Sequence, residues 1–165
     1  MSSRRWQPTS SRRPGSSARG FTVVELLLIV VVLGILVAIA VPLYGGYQER
    51  ARVAQAVTDI RLIESQLDSY RLEFDRVPQD YTRIVVPAPV DPWGRPYRYL
   101  RLQPMAPGDM GKVRKDKNLV PLNSDYDLYS VGRDGATKAP LTPSESQDDV
   151  IRANDGGFVG LASDY

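Results

Sequence analysis

Residues 21–41 read FTVVELLLIVVVLGILVAIAV and contain one charged side chain, Glu25. An apolar run of about 20 residues is long enough to cross the hydrocarbon core of a bilayer as a helix. A carboxylate inside such a span is costly, and by default it marks a functional position. The alternative is that Glu25 lies at the membrane interface and has no further role. This stretch therefore predicts one membrane-spanning helix with a single functional acid near its start.

The 20 residues before this span are polar and basic. They contain five arginines and no acidic residue, so they carry +5 in a chain whose net charge is +2, and the remaining residues carry −3. By the positive-inside rule the arginines place this end in the cytoplasm, and the pattern is typical of a targeting leader. Because membrane orientation explains these arginines, we expect no binding of nucleic acid.

Beyond Pro42 the apolar residues adopt a helical spacing. They recur three or four residues apart and form one apolar stripe, namely Val53, Val57, Ile60, Ile63, Leu67, Tyr70 and Phe74. We predict one helix from about Phe21 to about Asp75, apolar all round in its first half and amphipathic in its second half.

Residues 78–165 are rich in proline and glycine, with short β-prone segments between them. We predict strands at Arg83–Val86, Tyr97–Leu102 and Tyr126–Val131, which form an antiparallel sheet packed on the amphipathic part of the helix. The tail from Gly132 to Tyr165 is expected to be loop-like, with one short turn. The predicted fold class is α+β, with one long N-terminal helix, a small antiparallel sheet and a loop-rich C-terminal region.

The chain contains no cysteine and no histidine. This excludes disulfide scaffolds, zinc fingers, thiol nucleophiles and every histidine-based catalytic triad. No glycine-rich phosphate loop precedes a helix, and the adjacent Asp148 and Asp149 do not offer the separated carboxylate pair of a glycosidase. We therefore expect a protein without enzymatic activity.

The string RGFTVVELL, residues 19–27, resembles the cleavage and methylation motif of type IV prepilins and type II secretion pseudopilins. The resemblance implies a pilin-like fold, cleavage between Gly20 and Phe21 by a prepilin peptidase, and methylation of the new amino group of Phe21. It also implies that Glu25 is the assembly residue, because its carboxylate pairs with that amine in a neighbouring subunit. Such a pair lowers the desolvation cost of both charges.

The stretch DPWGRPYRYL, residues 91–100, resembles a loop of the major pseudopilin of type II secretion systems. Asp91 and Pro92 favour a turn, Gly94 can adopt a positive φ, and the indole of Trp93 can pack on the helix. We expect a structural role for this motif. The alternative is that Trp93 stacks on a sugar.

The stretch YDLYSVGRDG, residues 126–135, resembles the start of a calcium-binding loop in the same family. The resemblance implies calcium ligands at Asp134, Asp148 and Asp149, with Asp155 as an alternative, and calcium prefers oxygen ligands of this kind. The loop usual in the family is rich in glycine and acids, whereas this chain has ATKAPLTPSESQ there. The alternative is that Asp beside Gly only caps a turn, and the sequence leaves both interpretations open.

These resemblances imply the major pseudopilin of a type II secretion system, a structural subunit of a homo-oligomeric helical filament in the periplasm. The implied partners are the prepilin peptidase, the inner-membrane assembly platform and the minor pseudopilins. The implied location is the bacterial inner membrane, with a single pass and the C-terminal domain in the periplasm. The alternative function is that of a type IV pilin or minor pilin of a surface pilus, used for adhesion, motility or DNA uptake.

The predicted division of the chain has four parts. They are a cleaved basic leader at 1–20, a transmembrane and filament-core segment at 21–42, the amphipathic half of the helix at 43–76, and a small periplasmic β-rich part at 77–165.

Overall fold

The computed structural model describes residues 20–165, so the predicted leader, apart from Gly20, lies outside the described residues. One α-helix, α1, runs from Val23 to Phe74 and confirms the long helix predicted from the sequence. The described residues divide into two units, residues 20–42 and residues 43–165.

The first unit presents apolar side chains on every side of α1. All residues from Val23 to Val41 are exposed, and Glu25 is the one charged residue among them. By length and composition, α1 is long and apolar enough to cross a membrane. An apolar surface of this kind suits lipid or protein neighbours rather than water.

The second unit buries one face of α1, as the apolar stripe predicts. Five stripe residues lie in or against the main core, namely Val53, Val57, Ile60, Ile63 and Leu67. Phe74 differs from the prediction, because 47% of its surface is exposed. It contacts the ring of Tyr70, with 4.5 Å between the ring centroids, so the buried face ends before the helix does.

Four antiparallel strands form a sheet in the order β1-β2-β3-β4. They are β1 (Arg98–Arg101), β2 (Tyr126–Ser130), β3 (Val150–Ala153) and β4 (Phe158–Leu161). The first two confirm the strands predicted within 97–102 and 126–131. Every strand is hydrogen-bonded to its neighbour in sequence, so the sheet is a simple meander.

The strand predicted at Arg83–Val86 is wrong. A 3₁₀ helix occupies Tyr81–Arg83 instead, and no strand covers this range. Its cause is Asp80, whose Oδ1 accepts hydrogen bonds from the backbone N of Thr82 at 3.0 Å and from its Oγ1 at 2.8 Å. This local cap competes with extended backbone.

The loop-like tail predicted from Gly132 to Tyr165 is wrong in its second half, where β3 and β4 form a hairpin. All four residues of β3 are buried. Val150 belongs to the core that faces α1, whereas Ile151 belongs to a second core on the opposite face of the sheet. The hairpin turn includes Gly156 at φ +88°, a conformation that glycine adopts without strain.

Candidate functional site

The first turn of α1 is closed by two reciprocal contacts between Thr22 and Glu25. The Glu25 backbone N donates to Thr22 Oγ1 at 3.2 Å, and the Thr22 backbone N lies 3.5 Å from Glu25 Oε2. This arrangement is a capping box, which satisfies amide groups at the helix start. Glu25 therefore has a local role that the sequence analysis missed, although the spacing T-x-x-E is its known signal.

Gly20 and Phe21 precede this cap and lie outside the helix. Both are exposed, and 71% of the Phe21 surface is accessible. A peptide bond in exposed, non-helical backbone is open to a peptidase. The structure thus places the predicted cleavage position directly before a capped helix whose first turn holds the predicted assembly carboxylate.

Asp91 organises the DPWG turn through both carboxylate oxygens. Its Oδ1 accepts hydrogen bonds from the backbone N of Trp93 at 3.1 Å and of Arg95 at 2.7 Å. Its Oδ2 accepts from the Ser130 hydroxyl on β2 at 2.6 Å. Only 3% of Asp91 is exposed, so this buried carboxylate joins the turn to the sheet. Gly94 supplies the positive φ of +85° that the turn requires.

Trp93 is directed toward α1. It packs against the main core, and its Nε1 donates to Glu49 Oε1 at 3.2 Å. Pro92 beside it is half-buried. Because the indole nitrogen is bound to the helix and the ring contacts the core, this geometry favours a structural role for Trp93.

The four acids predicted around calcium have different surroundings. Asp134 is exposed, and its Oδ1 caps the backbone N of Ala136 at 2.8 Å. Asp148 is next to it, because its Oδ2 accepts from the Asp134 backbone N at 2.9 Å. Asp155 binds elsewhere, accepting from the backbone N and the Oγ of Ser124 at 2.6 and 2.8 Å.

Asp149 is fully buried and has a cationic partner from the protein itself. Its Oδ2 accepts from Arg114 Nη2 at 2.7 Å and from Thr137 Oγ1 at 2.6 Å. Burial raises the pKa of Asp149 to about 6, although the hydrogen bond from Thr137 and the charge of Arg114 lower it. Within residues 20–165, no three acidic, histidine or cysteine side chains come together as a group that could hold a metal ion. The calcium site stays a prediction.

A second buried arginine, Arg152 on β3, connects the sheet to α1. Its Nε donates to Glu64 Oε1 at 2.8 Å, and its two terminal nitrogens donate to Asp125 at 2.8 and 3.0 Å. Its guanidinium also lies 4.1 Å from the centroid of the Tyr126 ring. This network was not predictable from the sequence, because an arginine in a short strand flanked by turn residues resembles a residue of a solvent-exposed loop.

A helix with an apolar, exposed first half and an amphipathic second half packed on an antiparallel sheet defines the pilin-like class of protein. No family model matches the chain. Comparison with known proteins finds type II secretion system core protein G of Pseudomonas aeruginosa, which is 33% identical over 137 residues, covering 70% of this chain and 84% of that protein. The corresponding protein of Pectobacterium carotovorum is 33% identical over 142 residues, covering 73% of this chain and 80% of its own length. That of Vibrio cholerae is 32% identical over 136 residues, covering 70% and 81%.

The chain belongs to the family of type II secretion system core protein G, the major pseudopilins. Members of this family are structural proteins and not enzymes, which confirms the expectation drawn from the missing catalytic groups. Of the two functions that the sequence left open, the comparisons support the secretion pseudopilin over the surface pilin.

Proposed function

We propose that this chain is cleaved between Gly20 and Phe21, anchored in the inner membrane by its apolar segment, and assembled into a periplasmic filament through the same segment. The observation that carries this proposal is the exposed apolar surface of α1 from Val23 to Val41, with Glu25 as its one charge. A surface of this kind needs lipid before assembly and neighbouring helices after it. Identical contacts that do not close into a ring give a helical filament.

Membership in the core protein G family implies partners within the secretion machinery. We infer that these are the prepilin peptidase, the inner-membrane assembly platform and the minor pseudopilins. The apolar helix is consistent with membrane anchoring, and the family implies the inner membrane and the periplasm. A single pass with the globular unit in the periplasm follows from the arginines before the span, which favour a cytoplasmic N-terminus.

Glu25 is the proposed assembly residue, and its capping contact bears on how it acts. The carboxylate turns back to within 3.5 Å of the Thr22 backbone N, one residue from the amine that cleavage would create at Phe21. In a free subunit Glu25 therefore faces its own helix start. Assembly would replace this weak contact with an ion pair to the amine of a neighbouring subunit. In such a pair each charge offsets the desolvation cost of the other, and their attraction is stronger in the low dielectric of a filament core than in water.

The processing step is tested by expressing the full chain with and without a prepilin peptidase and measuring the intact mass and the N-terminal residue. We expect the peptidase to remove residues 1–20 and to leave a methylated Phe21. Cleavage at any other bond would contradict the proposal. A matched control is Gly20→Val, which places a branched side chain at the bond without touching the helix, since a Cβ on Gly20 would meet nothing within 4 Å.

A further inference from the structure

The β2–β3 loop, residues 131–149, is closed from inside by Arg114. Arg114 lies outside this loop, in the segment between β1 and β2, yet it is only 2% exposed. Its Nη1 donates to Thr137 Oγ1 at 2.7 Å and to the Lys138 carbonyl at 2.6 Å. Its Nη2 donates to Asp149 Oδ2 at 2.7 Å. One guanidinium therefore binds the middle of the loop and its last residue.

The two ends of this loop also contact each other. The Asp134 backbone N donates to Asp148 Oδ2 at 2.9 Å. Gly132, at φ +63°, lies so close to the Asp148 backbone that a Cβ at this position would overlap it. The first and last residues of the loop therefore lie side by side. To be stable, the loop also requires a positive charge beside the buried carboxylate of Asp149.

A buried carboxylate is stable only when it is paired and hydrogen-bonded. The sequence predicts calcium as the cation, held by Asp134, Asp148 and Asp149. In the structure Asp149 Oδ2 already accepts from Arg114 and Thr137, and the three acids do not form one group among the described residues. The donor set therefore does not fit the predicted ion as it stands.

We propose that Arg114 is the built-in cation of the β2–β3 loop, so that the loop folds without bound calcium. Arg114 is well suited to this role. Its guanidinium stays charged, and its planar fork reaches the loop backbone and the carboxylate at the same time. The guanidinium carbon also lies 4.4 Å from the centroid of the Tyr129 ring on β2, which favours a cation at this position.

Two carboxylate oxygens in this region, Asp148 Oδ1 and Asp149 Oδ1, are buried and make no hydrogen bond. They are the atoms that an ion would use, so the experiment measures calcium dependence directly.

The processed full chain in detergent contains Trp93 as its one tryptophan, because Trp6 leaves with the predicted leader. The melting temperature is followed by the fluorescence of Trp93 in excess EGTA and in millimolar calcium.

The parent chain is expected to melt at the same temperature in both buffers. A site loaded to about 100 times its dissociation constant would raise the melting temperature by roughly 5–10 °C. A rise of that size in the parent chain would overturn the proposal.

Two variants test the pairing itself. Arg114→Gln is expected to lower the melting temperature by roughly 10 °C in EGTA, because it leaves Asp149 buried without a counter-charge. The double variant Arg114→Gln/Asp149→Asn is expected to melt above the single variant, since it removes the uncompensated charge as well. The matched control is Arg98→Gln on β1, an exposed arginine whose loss is expected to change little.

The melting temperatures of these variants decide whether Arg114 is the counter-charge of Asp149. If Arg114→Gln melts like the parent chain, or if the double variant melts below Arg114→Gln, Arg114 is not the counter-charge. If Arg114→Gln does not fold, a folded double variant supports the pair and an unfolded one contradicts it. A calcium response that appears in Arg114→Gln but is missing from the parent chain would support the proposal further.

Discussion

The two units of this chain distribute polar and apolar groups in opposite ways. From Val23 to Val41, apolar side chains are exposed, and so is the one charge, Glu25. Residues 43–165 contain two buried apolar cores, and charged side chains are buried in this unit as well, including Arg114, Asp149 and Arg152. The first unit presents its apolar surface and its one charge to its surroundings, whereas the second pairs Arg114 with Asp149 and Arg152 with Asp125 inside its own fold.

Because the charge of the first unit is exposed and the charges named in the second are buried, we expect assembly and stability to depend on different residues. A charge that has no buried partner within its own unit contributes little to folding and is available for a neighbouring subunit. A charge that is buried in a hydrogen-bonded network is costly to disturb and cannot be shared with a neighbour. Substitutions in the first unit should therefore change filament formation at constant stability, and substitutions in the second unit should do the reverse.

The largest effect is expected at Glu25. Glu25→Ala should leave processing after Gly20 intact and abolish incorporation into filaments, because the amine of a neighbouring subunit loses its partner. The melting temperature of the residues 43–165 unit should not change. The measurement is the amount of subunit in sheared or cross-linked filaments, compared with the processed subunit in membranes.

Two companion variants separate the charge of Glu25 from its capping contact. Glu25→Gln keeps a side chain that can complete a capping box but removes the charge, and Thr22→Ala removes the cap but keeps the charge. Filament formation should fail in Glu25→Gln and persist in Thr22→Ala. Normal filaments from Glu25→Gln would show that helix capping, and not ion pairing, is what assembly requires.

The next largest effect is expected at Arg152. Arg152→Ala removes the buried cation that Glu64 and Asp125 share. Only the half-exposed Arg61 and Arg71 still contact these acids, so breaking the buried network should cost about 3–5 kcal/mol. Thermal unfolding of the full chain in detergent measures the loss, while processing after Gly20 should be unaffected. Arg98→Ala, on an exposed position of β1, serves as the control. A loss at Arg152 no larger than that of the control would mean that the network contributes nothing to stability.

A smaller loss of stability is expected at Gly156, where the β3–β4 turn meets α1. Its φ is +88°, and an added Cβ would meet Glu64 Oε1. Gly156→Ala should therefore cost about 1–3 kcal/mol, because it strains the turn and displaces the carboxylate that binds Arg152. Gly111→Ala is the control, since no positive φ and no nearby atom oppose a Cβ there. Equal melting temperatures for the two variants would contradict this interpretation.

The contrast between the units also explains what the sequence could predict. The apolar span and the stripe from Val53 to Leu67 have strong periodicity, so the helix and its buried face were predictable. The hairpin of β3 and β4 was not, because its strands are four residues long and Arg152 interrupts the apolar pattern of β3. Its arginine is buried only because Glu64 and Asp125, which lie far away in sequence, bind it. Contacts between residues so far apart in the chain produce no recognisable pattern in the neighbouring sequence.

The smallest effect is expected at Trp93, which attaches the DPWG turn to α1. Trp93→Phe keeps an aromatic ring against the core but removes the hydrogen bond from Nε1 to Glu49 Oε1 at 3.2 Å. Because this bond is only partly buried, its loss should cost about 0.5–1 kcal/mol. Near-ultraviolet circular dichroism of the tyrosines measures it, since the processed variant has no tryptophan. Glu49→Ala should cost a similar amount, and the double variant should cost less than the sum of the two. Additive losses would show that the hydrogen bond between Trp93 and Glu49 contributes nothing, and that Trp93 attaches the turn to α1 through the packing of its ring.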